Sequence, residues 1–305
     1  MLKRKIILEP RDLWWEAQGV FNPGVAEYNG RTYMLYRAFG RDNLSRLGLA
    51  ISEDGEHFER FDQPMLEADE HNPYERLGVE DPRITKIDKD YYITYIAASV
   101  YPADYKGMSA HSLNTPGVPW RVRVCGYRTR DFRTFEKLGV LIPNLDTKNP
   151  ALFSRKIQNN YWLIHRISLA IYVSVSTNLK QFGGGYQLMQ PETEWEAAKV
   201  GVACPPLETE HGWLMFYHGV DEKSVYHIGV ALLDRQNPAF ILKRTKTPLM
   251  SPEEPWEKKG YVNNVVFVTG VTERRGMLNL YYGGGDKVVG VAKISIDAVL
   301  ESLDR

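Results

Sequence analysis

Short apolar segments separated by polar turns run the length of the chain, and one arrangement of them recurs five times. Each copy opens at an Asn-Pro, Asp-Pro or similar pair, continues as a short apolar strand, turns through polar residues and returns as an aromatic-rich strand. The openings are Asn22-Pro23, Asp81-Pro82, Asn149-Pro150, Cys204-Pro205 and Asn263-Asn264. The returning strands are TYMLYRA, YYITYIAA, YWLIHRI, WLMFYHGV and MLNLYYGGG. Spacing inside the copies is steady: Asn22 to Tyr36 and Asp81 to Tyr95 are each 14 residues, Asn149 to His165 is 16 and Cys204 to Tyr217 is 13. A third strand follows each copy, in order RLGLAIS, VRVCGYR, AIYVSVS, YHIGVALL and VVGVAKI. A weaker fourth strand follows most of them, the first, HFERF, after an Asp-Gly pair of the kind that closes hairpins.

Five copies holding about four strands each, recurring roughly every 60 residues, predict an all-β chain folded as a five-bladed β-propeller with a central active-site cup. An irregular β-sandwich is the alternative, and the fivefold recurrence favours the propeller. Residues 1–305 read as a single propeller domain with one short helix at about 296–304, where SIDAVLESLD spaces Leu and Val helically.

In a propeller the inner strands surround the axis, so equivalent positions of the copies meet at one mouth of the channel. The opening positions are Asn22, Asp81, Asn149, Cys204 and Asn263; those near the ends of the returning strands are Arg37, Ala97, Arg166, His218 and Gly284. A purely structural repeat fills such positions with like residues. Here they are mixed, polar and charged, the pattern of a site assembled from several blades. Asp81, in GVEDPRIT, occupies an opening position. Strand alternation sends adjacent side chains to opposite faces, so Asp81 is expected to point into the cup and Glu80 away from it. Arg166 interrupts an apolar strand, and burying it without an anion is costly. With Arg37, Arg46, Lys148, Lys199 and His218 near other inner strand ends, either carboxylates or an anionic ligand must meet this charge.

Composition narrows the classes. Lys plus Arg and Asp plus Glu both number 38, which argues against a nucleic-acid partner. Aromatic residues are 12%, suited both to strands and to sugar-stacking surfaces. The two cysteines, Cys125 and Cys204, cannot form a disulfide framework, and no metal-ligand spacing occurs. There is no apolar leader and no membrane-length apolar run, so a cytoplasmic protein without a membrane partner is expected. Nucleotide-binding glycine loops and a Gly-x-Ser-x-Gly elbow are lacking.

Nine stretches now stand in one order: FNPGV, YRA, SRLGLAIS with its following Asp-Gly, GVEDPRIT, KNPALF, PPLET with GWL and YHGV, LLD with NP, NNVVF and YYGGGD. In that order, from about Ile7 to Ile294, the chain resembles glycoside hydrolase family 130. The resemblance implies a five-bladed propeller acting on β-mannosides, by phosphorolysis to α-mannose 1-phosphate in many members and by hydrolysis in some. It implies Asp81 as general acid, with the proton passing through the sugar 3-hydroxyl, and Arg46 and Asp286 as residues that hold the mannose. Phosphate contacts map to Lys148, Asn149, Arg166 and Lys199, with His218 beside them; Tyr226 joins the sugar site, to which the convergence of the copies adds Asn22 and Arg37. Lys148 stands where some relatives have Arg, Ser154 where many have Pro, and GGGD where Gly-Ala-Ala-Asp is usual.

Independently of the resemblance, an inverting hydrolase needs a second carboxylate to activate water, about 6.5–9.5 Å from the acid. A phosphorylase needs one acid and a cationic seat for its nucleophile. The expected cup has several cations and, besides Asp81, only Asp286 as a clear carboxylate, which favours phosphate. The expectation is an inverting β-mannoside phosphorylase with inorganic phosphate as co-substrate and no other cofactor. A hydrolytic β-mannosidase and a non-catalytic sugar-binding propeller stay open, as does a homo-oligomer. The Pro-, Gly-, Ser- and Tyr-rich segment 100–121 is expected to be a loop over the cup or against a neighbouring subunit.

Overall fold

The computed structural model describes residues 2–105, 110–112 and 115–304. Five antiparallel sheets form the five blades of a β-propeller. Blade I contains Gly19–Tyr28, Arg31–Phe39, Ser45–Ser52 and Glu59–Arg60. Blade II contains Val79–Ile87, Asp90–Val100, Thr115–Thr129 and Glu136–Val140, with Ala110–Ser112 paired to the third of these. Blade III contains Lys148–Leu152, Tyr161–Ile167, Ala170–Ser176 and Gly183–Met189. Blade IV contains Lys199–Val202, Gly212–Val220, Tyr226–Leu233 and Ile241–Arg244, with Leu207–Thr209 alongside. Blade V contains Val266–Arg274, Met277–Gly284 and Val288–Ser295, and takes its outer strand from the other end of the chain, where Lys3–Leu8 pairs with Val288–Ser295. That pairing closes the ring.

Each blade is hydrophobic on both faces, because each is covered on both sides by a neighbour. Along Gly212–Val220, Trp213, Met215 and Tyr217 pack toward blade III while Leu214 and Phe216 pack toward blade V. Five buried apolar clusters result, one between each pair of adjacent blades.

The tyrosine that sets the repeat spacing has a structural task. Tyr36, Tyr95 and Tyr282 donate to the buried carboxylates of Glu16, Glu75 and Glu257 at 2.7, 2.8 and 2.7 Å. In blade IV, Arg244 joins Tyr217 at 3.1 Å to Glu196 at 2.6 Å. Blade III substitutes His165, held between Thr147 at 2.7 Å and Ser174 at 2.9 Å. Cations complete three of the clusters: Arg11 and Arg60 on Glu16, Lys137 on Glu75 and Arg4 on Glu257. These anchors tie the loop before each blade to its second strand. Tyr95→Phe deprives the buried Glu75 of a donor and is expected to destabilise by about 1–3 kcal/mol, read by urea unfolding. An unchanged midpoint would show that the anchor contributes nothing.

The C-terminal helix spans Ile296–Ser302, with the Ser295 side chain accepting from Ala298 N at its start. A four-residue helix, Pro255–Lys258, and a single 3₁₀ turn, Glu194–Glu196, carry the Glu257 and Glu196 anchors and were not foreseen. Segment 100–121 departs from the expected loop: strand resumes at Thr115, so blade II extends as a hairpin, while 106–109 and 113–114 lie outside the described residues. No helix among the described residues is long and apolar enough to cross a membrane.

Candidate active site

The inner-strand ends converge on a cavity of 290 Å³ at one mouth of the channel. Its lining includes Asn22, Arg37, Glu80, Asp81, Lys148, Asn149, Arg166, Lys199, His218, Tyr226 and Asp286. The backbone explains how so many polar side chains reach one place. Asn22, Asp81 and Asn149 have φ of 48°, 51° and 55°, in the left-handed region that Asn and Asp tolerate better than most residues. The proline after each disfavours the right-handed helical alternative. Strand register slips there, between Phe21 and Gly24, Glu80 and Arg83, and Lys148 and Ala151.

The slip breaks side-chain alternation, and this corrects the expectation that Glu80 faces away. Both Glu80 and Asp81 line the cavity, as both Lys148 and Asn149 do one blade later. Carboxylates are therefore not scarce in the cup, which holds three among the described residues, and their number does not favour phosphate. The repeat equivalence also needs amendment: the left-handed residue of the fifth copy is Asn264, φ 59°, and not Asn263. Cys204 is buried beside Arg83 instead of lining the cavity.

Charge is distributed by blade. Blades I, II and V contribute Arg37 and the carboxylates. Arg37 Nη2 donates to Glu80 Oε1 at 2.7 Å, and its Nη1 lies 3.3 Å from Asp81 Oδ1. Asn22 Nδ2 donates to the same Asp81 oxygen at 2.9 Å, leaving the buried Asn22 Oδ1 without a partner among the described residues. A Cβ at Gly283 would approach that oxygen to 2.2 Å, so the first glycine of GGGD makes room for it. Arg83 fixes the backbone of Asp81: fully buried, it donates to Asp81 O at 2.9 Å and across the channel to Ala203 O at 2.8 Å. Burial brings the Arg83 guanidinium down to about 10. Burial alone would raise Asp81, but Arg37, Arg83, the Asn22 amide and Lys148 outweigh it and hold the carboxyl below its usual range. Asp286 behaves oppositely, pushed up to about 6 by burial, with Asp81 and Glu80 adding to the effect and Arg37 opposing it.

Blades III and IV contribute cations. Arg166 Nε donates to Asn149 Oδ1 at 3.0 Å and its Nη1 to Ser168 O; Lys199 Nζ donates to Tyr226 Oη at 2.9 Å. The Lys148 ammonium sits 5.8 Å from the Trp120 ring centroid. Among the described residues, none of these three cations is ion-paired with a carboxylate. Burial and mutual repulsion push Lys199 well below the ordinary lysine value, and burial lowers Lys148 and Arg166 as well. His218 is forced toward neutrality by burial, then by Lys199, Arg166 and Arg83, and its buried Nδ1 has no partner among the described residues. Gly201 lets His218 and Arg166 approach, since a Cβ there would meet the imidazole at 2.3 Å and Arg166 Cδ at 2.9 Å. A group of cavity-lining cations facing a group of carboxylates suits a reaction that needs an anion on one side and a proton on the other.

The family model described as beta-1,4-mannooligosaccharide phosphorylase matches residues 4–305. The chain belongs to glycoside hydrolase family 130. It is an enzyme of the glycoside phosphorylase type. It is 37% identical to a beta-1,2-mannobiose phosphorylase of Thermoanaerobacter sp. (strain X514), across 98% of this chain and 97% of that one. It is 35% identical to a 1,2-beta-oligomannan phosphorylase of the same organism, across 95% of each. The solved beta-1,2-mannobiose phosphorylase of Listeria innocua, in complex with beta-1,2-mannobiose, superposes with a TM-score of 0.82 at 29% identity, covering 97% of this chain and 95% of that one.

Of the residues matched to family 130 motifs, Arg46 alone stays outside the lining. It follows Ser45, which does line the cavity, and the pleat turns it to the other face. There it donates to Asp42 at 2.6 Å and Glu67 at 3.0 Å and stacks over Trp14 at 4.4 Å. The lining residues that sequence reasoning missed include Glu80, Ser45, Asn43 and the aromatic Trp120, Phe39, Tyr261 and Phe267. Trp120 arrives on the blade II hairpin, and Tyr261 on the connection between Pro255–Lys258 and blade V. Neither has an equivalent in other blades, so the repeat gave no signal for them.

Proposed function

We propose that this enzyme is an inverting β-mannoside phosphorylase that transfers β-1,2-linked mannose from a disaccharide or oligosaccharide to inorganic phosphate and releases α-mannose 1-phosphate. The observation that carries the reading is the set of cavity-lining cations, the buried Lys199 and the half-buried Lys148 and Arg166, without a carboxylate partner among the described residues. A phosphate dianion neutralises their repulsion and is itself the nucleophile, and the Arg166 fork suits its oxygens. Asn149 and His218 complete the seat. Asn22, Arg37, Tyr226 and Asp286 surround the mannose.

In the reaction a phosphate oxygen bonds to the anomeric carbon as the bond to the departing sugar breaks on the opposite face. The Asp81 proton passes through the mannose 3-hydroxyl to the leaving oxygen. A single displacement turns β into α. Phosphate also assists the acid, because two negative charges in a desolvated cup raise the proton affinity of a nearby carboxyl. The β-1,2 assignment is supported by the names of the two relatives at 37% and 35% identity.

The test is to incubate the enzyme with β-1,2-mannobiose and phosphate and follow the first turnovers by proton and phosphorus NMR. The α anomer of mannose 1-phosphate is expected as the initial product. Initial formation of the β anomer would contradict inversion, and faster cleavage of β-1,4-mannobiose would reassign the substrate.

A further inference from the structure

Glu80 is the cup carboxylate that the scheme above leaves without a task. It belongs to the cavity wall, sits next to the acid in sequence, and shares one guanidinium with it. That guanidinium is held from three sides. Arg37 Nε donates to Ser45 Oγ at 2.9 Å, the Phe21 ring lies 4.9 Å from its carbon, and Nη2 donates to Glu80 at 2.7 Å. The remaining Nη1 reaches Asp81 only at 3.3 Å, at the long end of hydrogen-bond range.

We propose that Glu80 is a positioning residue for Asp81: it draws the Arg37 guanidinium toward itself and so leaves Asp81 able to carry the proton it must donate. The inference rests on the reading of Asp81 as the acid. An arginine at full hydrogen-bond distance favours the ionised form of a carboxyl by 1–3 pKa units. Glu80 opposes this in two ways of the same sign, by competing for the fork and by placing a second negative charge beside Asp81. The other groups that face Asp81 are Arg83 on its own strand, Lys148 of blade III, Asn22 of blade I, Tyr226 of blade IV and Asp286 of blade V. Four of these, Arg83, Lys148, Asn22 and Tyr226, favour the carboxylate or are neutral. Without Glu80, Asp286 is the one charged group among these that pulls the other way, beside the burial that itself raises Asp81.

The experiment measures kcat against pH for β-1,2-mannobiose phosphorolysis in the wild type, Glu80→Gln, Arg37→Gln and Asp81→Asn. Gln at position 80 keeps the volume and an acceptor for Arg37 but removes the charge. The alkaline limb, where the acid loses its proton, is expected to move down by about one pH unit in Glu80→Gln and up by a similar amount in Arg37→Gln. Opposite movements are the signature of charge tuning, since a merely structural role lowers kcat or stability at every pH and leaves the limb in place. An unmoved limb in Glu80→Gln, with Asp81→Asn inactive, overturns the inference and leaves the acid assignment standing. If Glu80→Gln does not fold, Arg37→Gln decides alone, and an unmoved or lowered limb there overturns the inference. Wild-type turnover in Asp81→Asn overturns the acid assignment itself, and the inference with it.

Discussion

Asp81→Asn is expected to lower phosphorolysis by about 10²–10⁴-fold, the usual contribution of a positioned acid. The amide has no proton to give, and it cannot relay one through the sugar hydroxyl. The fold should survive, because Asn is among the few residues that accept the φ of 51° found at this position. Asn22 can continue to donate to the side-chain oxygen it now meets at 2.9 Å. Asp81→Ala would be a poorer test, since alanine adds backbone strain at a left-handed position to the loss of the acid. The comparison needs initial rates at saturating mannobiose and phosphate beside a thermal melt. A folded Asp81→Asn protein with near-normal turnover removes Asp81 from the role.

The second large effect is expected at Arg166. Arg166→Ala should reduce kcat/KM for phosphate by about 10²–10³-fold, the loss that follows truncation of a buried charge–ligand contact worth a few kcal/mol, while the KM for mannobiose moves much less. Arg166→Lys returns the charge without the bidentate fork, so recovery should be partial. Stability distinguishes this account from a structural cation. Among the described residues, the Arg166 side chain bonds only to Asn149 and the Ser168 carbonyl, and it repels Lys148, Lys199 and His218. Removing it in phosphate-free buffer should therefore not lower the melting temperature. Phosphate should raise that of the wild type by mass action and have a much smaller effect on the variant. A marked fall in melting temperature for Arg166→Ala, with no phosphate shift in the wild type, would make Arg166 structural.

Much of this architecture is legible in the sequence because the propeller repeats its local chemistry. The Asn-Pro and Asp-Pro openings mark real backbone events, since Asn22, Asp81 and Asn149 adopt the left-handed conformation at the point where each inner strand reaches the cup. The tyrosines that give the steady spacing are Tyr36, Tyr95 and Tyr217, which belong to the buried anchors. Their partners Glu16, Glu75 and Glu196 escaped notice because they lie 20, 20 and 21 residues earlier in loops of unrelated sequence. Ring closure by Lys3–Leu8 was not foreseen either, as a strand that pairs with the far end of the chain leaves no local pattern.

Two differences at the site have opposite backbone origins, one where strand alternation breaks and one where it holds. At Glu80 the left-handed residue that follows turns two consecutive side chains inward, and a carboxylate expected outside becomes part of the cup. At Arg46 the strand is regular, alternation holds, and it carries the side chain to Asp42 and Glu67 and away from the cavity. The grouping of cations is more readable, because an arginine inside YWLIHRI violates the apolar pattern and demands a reason. Trp120 and Tyr261 come from blade-specific connections, where the repeat carries no information.

The central claim, that the cations of blades III and IV seat the nucleophile, is tested most directly by the phosphate dependence of cleavage. The wild-type enzyme is supplied with β-1,2-mannobiose over a series of phosphate concentrations that includes none, and mannose and mannose 1-phosphate are quantified separately at early times. The account predicts a rate that saturates with phosphate, vanishes without it, and yields mannose 1-phosphate and mannose in equal amounts. Cleavage that proceeds in phosphate-free buffer to give two molecules of mannose would contradict it, and would assign Asp286 or Glu80 as the base that activates water.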